Sequence, residues 1–176
     1  MTSFTLSSLT PLLPELFLAI AGMVLLVAGV LRGNQSTDFI SRSSIFCLVF
    51  AASLLLGMEW TRVETLNGMF VLDGFAGYMK LLIIGGLIAS IALSIQYLHQ
   101  DYIVRFEYPI LILFSGIGML MMVSAHDMMS LYVGLELQSL ALYVLATIRR
   151  DHIKSAESGM KYFVLGAISS GILLFG

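Results

Sequence analysis

The 176 residues are 59% apolar and only 11% charged, with a formal net charge of −2. Soluble domains sit nearer about 45–50% apolar and about 25% charged, so a soluble fold is excluded. So small a net charge also argues against nucleic acid as a partner, and the single Cys47, set in an apolar run, can form no internal disulfide.

Crossing hydrocarbon takes about 17–25 mostly apolar residues as a helix, and the chain offers several such runs in order. The first is predicted over 12–31, opened by Pro11 and Pro14, which suit a helix start. The second covers 42–58; its apolar part begins only at Ile45, so Ser41 to Ser44 must help it reach the interface. The third, 75–98, contains Lys80, and the fourth, 108–124, has Pro109 in its first turn. The fifth, 128–148, contains Glu136, and the sixth, 158–176, contains Lys161. The prediction is an all-α, polytopic transmembrane bundle of about six helices. The last residues are still apolar, and the chain is expected to be the front portion of a longer protein.

Orientation follows from Lys and Arg. The connections after the first, third and fifth runs hold Arg32 and Arg42, then Arg105, then Arg149, Arg150 and Lys154; the other side holds Arg62. The positive-inside rule puts the first set in the cytoplasm and the N-terminus outside, or the first set in the matrix if the membrane is mitochondrial. A secretory leader fits poorly, because no basic residue precedes Arg32.

Ionisable residues inside spans are costly and mark function by default. At 1.5 Å per residue, Glu136 lies roughly 13 Å past Asp127 and 20 Å short of Arg149, near mid-membrane. Tyr132, Ser139 and Tyr143 share its helix face and could form a hydrogen-bonded, water-accessible strip. A carboxyl whose charge depends on desolvation and a nearby cation can exchange protons. The plainer alternative is a structural polar bond between helices. Lys161 lies about 10 Å of helix from the cytoplasmic edge, within snorkelling reach. On those depths Glu136 and Lys161 differ by about 10 Å, which disfavours a direct salt bridge. Lys80 is read as an anchor or packing residue whose stem can snorkel outward, Glu107 as an interfacial salt-bridge partner, and Asp127 as the cap of the fifth helix. His99, His126 and His152 fall in three separate connections and form no metal cluster. Gly159, Gly166 and Gly171 give the sixth helix a small-residue profile suited to close packing.

The stretch from Ser124 to Leu145, SAHDMMSLYVGLELQSLALYVL, resembles the fifth-helix region of the antiporter-like subunits of proton-pumping NADH-quinone oxidoreductase, respiratory complex I. The segment SAESGMKYFVLGA from Ser155 to Ala167 is more similar to one of these subunits than to its two siblings. Asp73-Gly74-Phe75 followed by Lys80, and Glu107 ahead of the fourth helix, match the family's order. The resemblance implies that Glu136 and Lys161 belong to the proton pathway, with Glu107 in the same chain of polar groups. It implies a fold of fourteen helices with two inverted five-helix repeats, of which this chain holds the helices before the first broken one. It implies no redox centre in the chain itself, with NAD, FMN, iron–sulfur clusters and quinone carried by other subunits. The implied setting is a bacterial inner membrane (mitochondrial as the alternative), with the lipid bilayer and the other membrane-arm subunits as partners. Two further readings are a related cation/proton antiporter subunit and a structural membrane scaffold.

Overall fold

The computed structural model describes residues 10–33, 36–66, 68–100, 105–149 and 152–176. Six helices follow one another: α1 (Leu13–Arg32), α2 (Thr37–Leu56), α3 (Gly74–Gln100), α4 (Glu107–Ser124), α5 (Met128–Ala146) and α6 (Ile153–Phe175). Each is long and apolar enough to cross a membrane.

Two helices begin earlier than hydropathy predicts. α2 starts at Thr37 rather than 42, and α6 at Ile153 rather than 158. Thr37, Ile40, Ser41, Ser44, Leu48, Ala51 and Leu55 form one buried stripe down α2, so Ser41 and Ser44 face protein. Ser41 satisfies its hydroxyl on the Thr37 carbonyl at 2.9 Å. At the start of α6, the Ser155 hydroxyl donates to the Ala146 carbonyl at 2.9 Å and fastens the helix to the end of α5. His99 falls inside the last turn of α3 rather than in a connection. Arg150 lies outside the described residues.

A β-hairpin that hydropathy does not foresee stands between α2 and α3. Its strands, β1 (Val63–Thr65) and β2 (Phe70–Leu72), pair antiparallel with Val63 opposite Leu72 and Thr65 opposite Phe70. Gly68 takes a φ of 87° in the turn, a region open to glycine without Cβ strain. The hairpin is tied to the α4–α5 connection: Phe70 bridges Ala125, and the His126 N–H donates to the Met69 carbonyl at 3.0 Å.

The core lies among the first four helices. Leu18 of α1, Leu48 and Leu55 of α2, Ile84 and Ile91 of α3, and Leu113 and Leu120 of α4 belong to one buried cluster. Fully burying each such side chain contributes about 1.5–3 kcal/mol in water; inside a bilayer, close packing takes over that role. α4 and α5 cross at glycine. A Cβ on Gly118 would stand 2.6 Å from the Gln138 nitrogen and the Gly134 oxygen, so the two backbones touch directly. α6 is the outlier: 6% of its span residues are buried, against 56% in α4.

Candidate functional site

Asp127 sets the start of α5. Its Oδ1 accepts the Ser130 N–H at 2.7 Å, as the capping expectation requires. The hydrogen bonds from Ser130 hold the Asp127 carboxyl below the usual carboxylate range. From that fixed start, Glu136 falls in the middle of the nineteen-residue helix. Gly134, Gln138 and Ala141 turn towards α4 or are buried, which leaves Glu136 on the opposite side.

That opposite side faces α6. The Tyr132 hydroxyl lies 3.1 Å from Ser170 Oγ. Tyr143 packs edge-on against Tyr162 and Phe163, with ring centroids 4.8 and 5.7 Å away, and sits directly over Gly166. Helical spacing puts Glu136 on the same face, between the two tyrosines. It is half-buried, and its Oε1 is enclosed with no hydrogen-bond partner among the described residues. A polar atom left so in a dry setting is expensive, which invites a bridging water there.

The structure does not bring the three expected residues together. Lys161 is exposed and pairs with Glu157 one turn earlier on α6, at 2.6 Å. Gly159 packs on Thr147 and Ser170 on Tyr132, so Glu136 sits level with the stretch of α6 between Gly166 and Ser170, roughly 9 Å of helix beyond Lys161. The expected lack of a direct bridge matches this register. Glu107, in the first turn of α4, borders a pocket of about 180 Å³ with Leu26, Ile110, Phe114, Val144 and Thr147. Because Gly118 meets Gly134 and Gln138, Glu136 is about 16 Å along α4 from Glu107. Of the three small residues on α6, Gly159 and Gly166 sit in close contacts, while Gly171 has open space around it.

Lys80 corrects the sequence expectation. It does not snorkel: its side chain is fully buried, and Nζ pairs with Glu15 Oε1 at 2.6 Å. Nζ also lies 4.5 Å from the centroid of the Phe70 ring. Sequence reasoning missed Glu15 as a functional candidate. The signal available was an acid directly after Pro14 in an otherwise apolar run, a position that a helix first turn explains without any partner. No group of His, Cys, Asp and Glu that could hold a metal ion occurs among the described residues.

Six membrane-length helices among the described residues, with Lys80 and Glu136 set inside two of them, define a polytopic membrane protein. A family model described as NADH:quinone oxidoreductase/Mrp antiporter, TM, matches residues 125–176, the part that carries Glu136 and Lys161. NADH-quinone oxidoreductase subunit N from Paramagnetospirillum magneticum is 49% identical over 96% of this chain and 34% of its own length. Subunit N 1 from Rhizobium meliloti is 44% identical over 100% of this chain and 37% of its own. Among solved structures, a chain of respiratory complex I from Thermus thermophilus with bound Aureothin superposes with a TM-score of 0.73 at 27% identity, over 92% of this chain and 35% of that one. The chain belongs to the family of NADH-quinone oxidoreductase subunit N. It spans about a third of the length of the relatives it matches.

Proposed function

We propose that the chain is the first part of a non-redox membrane subunit of proton-translocating NADH:quinone oxidoreductase, and that it contributes to the proton pathway coupled to electron transfer from NADH to quinone. The observation that carries this reading is the Glu136 carboxyl, mid-span on α5, with one oxygen enclosed and unpartnered among the described residues. The kinship with subunit N supports it. A cation brought near such a carboxyl favours its charged form, and withdrawal of the cation favours proton uptake. In this reading Glu136 exchanges the proton, Lys161 with its partner Glu157 belongs to the same polar axis, and Glu107 borders the entry from the basic side. NAD, FMN, iron–sulfur clusters and quinone are held by other subunits, and the partners are the remaining membrane-arm subunits and the bilayer. The setting is the bacterial inner membrane, with the N-terminus outside.

The test is Glu136→Gln in the full-length subunit within the assembled complex. Assembly should persist, while protons moved per NADH oxidised, followed with a pH dye in vesicles, should fall. Wild-type proton yield in that variant would falsify the reading.

A further inference from the structure

Lys80 and Glu15 stand apart from the residues considered so far, yet they hold the most enclosed charges among the described residues, 0% and 5% exposed at their side chains. They join α1 to α3. Lys80 also presents its ammonium to the face of Phe70, which belongs to the hairpin. Phe70 bridges Ala125, Met69 accepts the His126 N–H, and the next residue, Asp127, caps α5. One continuous set of contacts therefore runs from α1 through Lys80 and the hairpin to the start of the helix that carries Glu136.

An ion pair is a curious choice for such a place. Buried pairs rarely improve stability over apolar residues of similar volume; the role best attested for them is fixing one register against others. A slip of one helical turn between α1 and α3 would part the charges by about 5.4 Å. Neither Glu15 oxygen finds a hydrogen-bond partner among the described residues apart from its ion-pair contact with Lys80, so that contact is what holds the carboxylate in place. The closed surroundings of both side chains argue against proton traffic through them.

We propose that the Glu15–Lys80 pair is an electrostatic latch that holds the hairpin over the ends of α4 and α5 and so positions the helix bearing Glu136. Both are positioning residues. The link to proton movement rests on the reading of Glu136 given above, whereas the latch itself does not.

Two measurements on the full-length subunit in its assembled complex separate the two. The first is hydrogen exchange at the hairpin and at the His126 amide; the second is proton yield per NADH in vesicles. Glu15→Gln combined with Lys80→Met removes both charges and leaves no lone buried ion. It should speed exchange of those amides by about tenfold or more and lower the proton yield without slowing NADH oxidation. Lys80→Arg, which keeps the charge, should restore much of both. Glu15→Asp keeps both charges but draws the carboxylate back, and should give a smaller rise in exchange at the same amides if the double variant does not assemble. Unchanged exchange in the double variant, or in Glu15→Asp where that stands in for it, overturns the latch. Faster exchange with an unchanged proton yield overturns its positioning of Glu136. Glu136→Gln should leave hairpin exchange as in the wild type, so a failure of the proton-pathway reading shows in that variant alone.

Discussion

Between α1 and α3, a lysine and a glutamate meet at 2.6 Å and are closed off from their surroundings. Between α5 and α6, a glutamate keeps one oxygen enclosed without a hydrogen-bond partner among the described residues, while a lysine on α6 lies 71% exposed beside its own helix neighbour. Both regions put charge inside membrane-length helices, but only in the first do an acid and a base on different helices meet in an ion pair among the described residues. Charge paired across two helices fixes a geometry, because separating it is expensive. Charge without a partner on the facing helix is free to change partner, as the proposed reading of Glu136 requires. The contrast separates the part of the chain that holds shape from the part that can respond.

The sharpest way to break the contrast is to make the first region resemble the second. Lys80→Met alone would leave Glu15 buried without its cation, and losing one partner of a buried pair costs about 3–5 kcal/mol. Little assembled subunit should survive, as read by native gels of solubilised membranes. Normal assembly would show that Glu15 has another way to be satisfied, and the two regions would no longer differ.

A second approach loosens the join between them. Gly118→Ala puts a methyl 2.6 Å from backbone atoms of α5, and overpacking of this kind costs about 1–3 kcal/mol. The variant should melt earlier in detergent. Gly171→Ala, with nothing within 4 Å of its Cβ, is the matched control and should not shift the melting of this part of the chain. Equal behaviour of the two would mean that α4 and α5 are not locked at their glycine crossing.

The smallest expected effect concerns the half-buried Asp127 cap. Its carboxyl titrates below its ordinary value of 3.8, so its contribution is fully present above that value and is lost as pH falls through the lowered one. Amide protection at Ser130 should therefore hold from neutral pH down to about 4 and weaken only below it. Asp127→Asn should remove that acid-side loss. A decline beginning near neutral pH would point to a different group.

The helices were largely legible in the sequence because lipid-facing apolar runs announce themselves. What escaped notice has a common cause: each feature depends on what a residue meets across space. Hydropathy starts α2 and α6 late because Thr37, Ser41 and Ser155 look polar, and nothing in the order of residues says that they face protein. Lys80 was assigned to the interface because its depth suits a snorkelling stem; the partner that keeps it inside lies on another helix, far off in the chain. The hairpin is too short to carry a period, and Phe70 gains its meaning from Ala125 and Lys80. At the candidate site, the face shared by Tyr132, Glu136 and Tyr143 followed from spacing alone, and so did the separation of Glu136 from Lys161. That α6 covers this face, through Ser170, Tyr162 and Gly166, did not.

The paired charges of α1 and α3 also bear on how the protein is made. A lysine inside a span is costly to place in the bilayer, up to about 2.5–3.5 kcal/mol at the centre and less at the depth of Lys80, two turns into α3. α1 leaves the ribosome before α3, so Glu15 is already in the membrane when Lys80 arrives. The partner that Lys80 meets in the finished fold is therefore made before it.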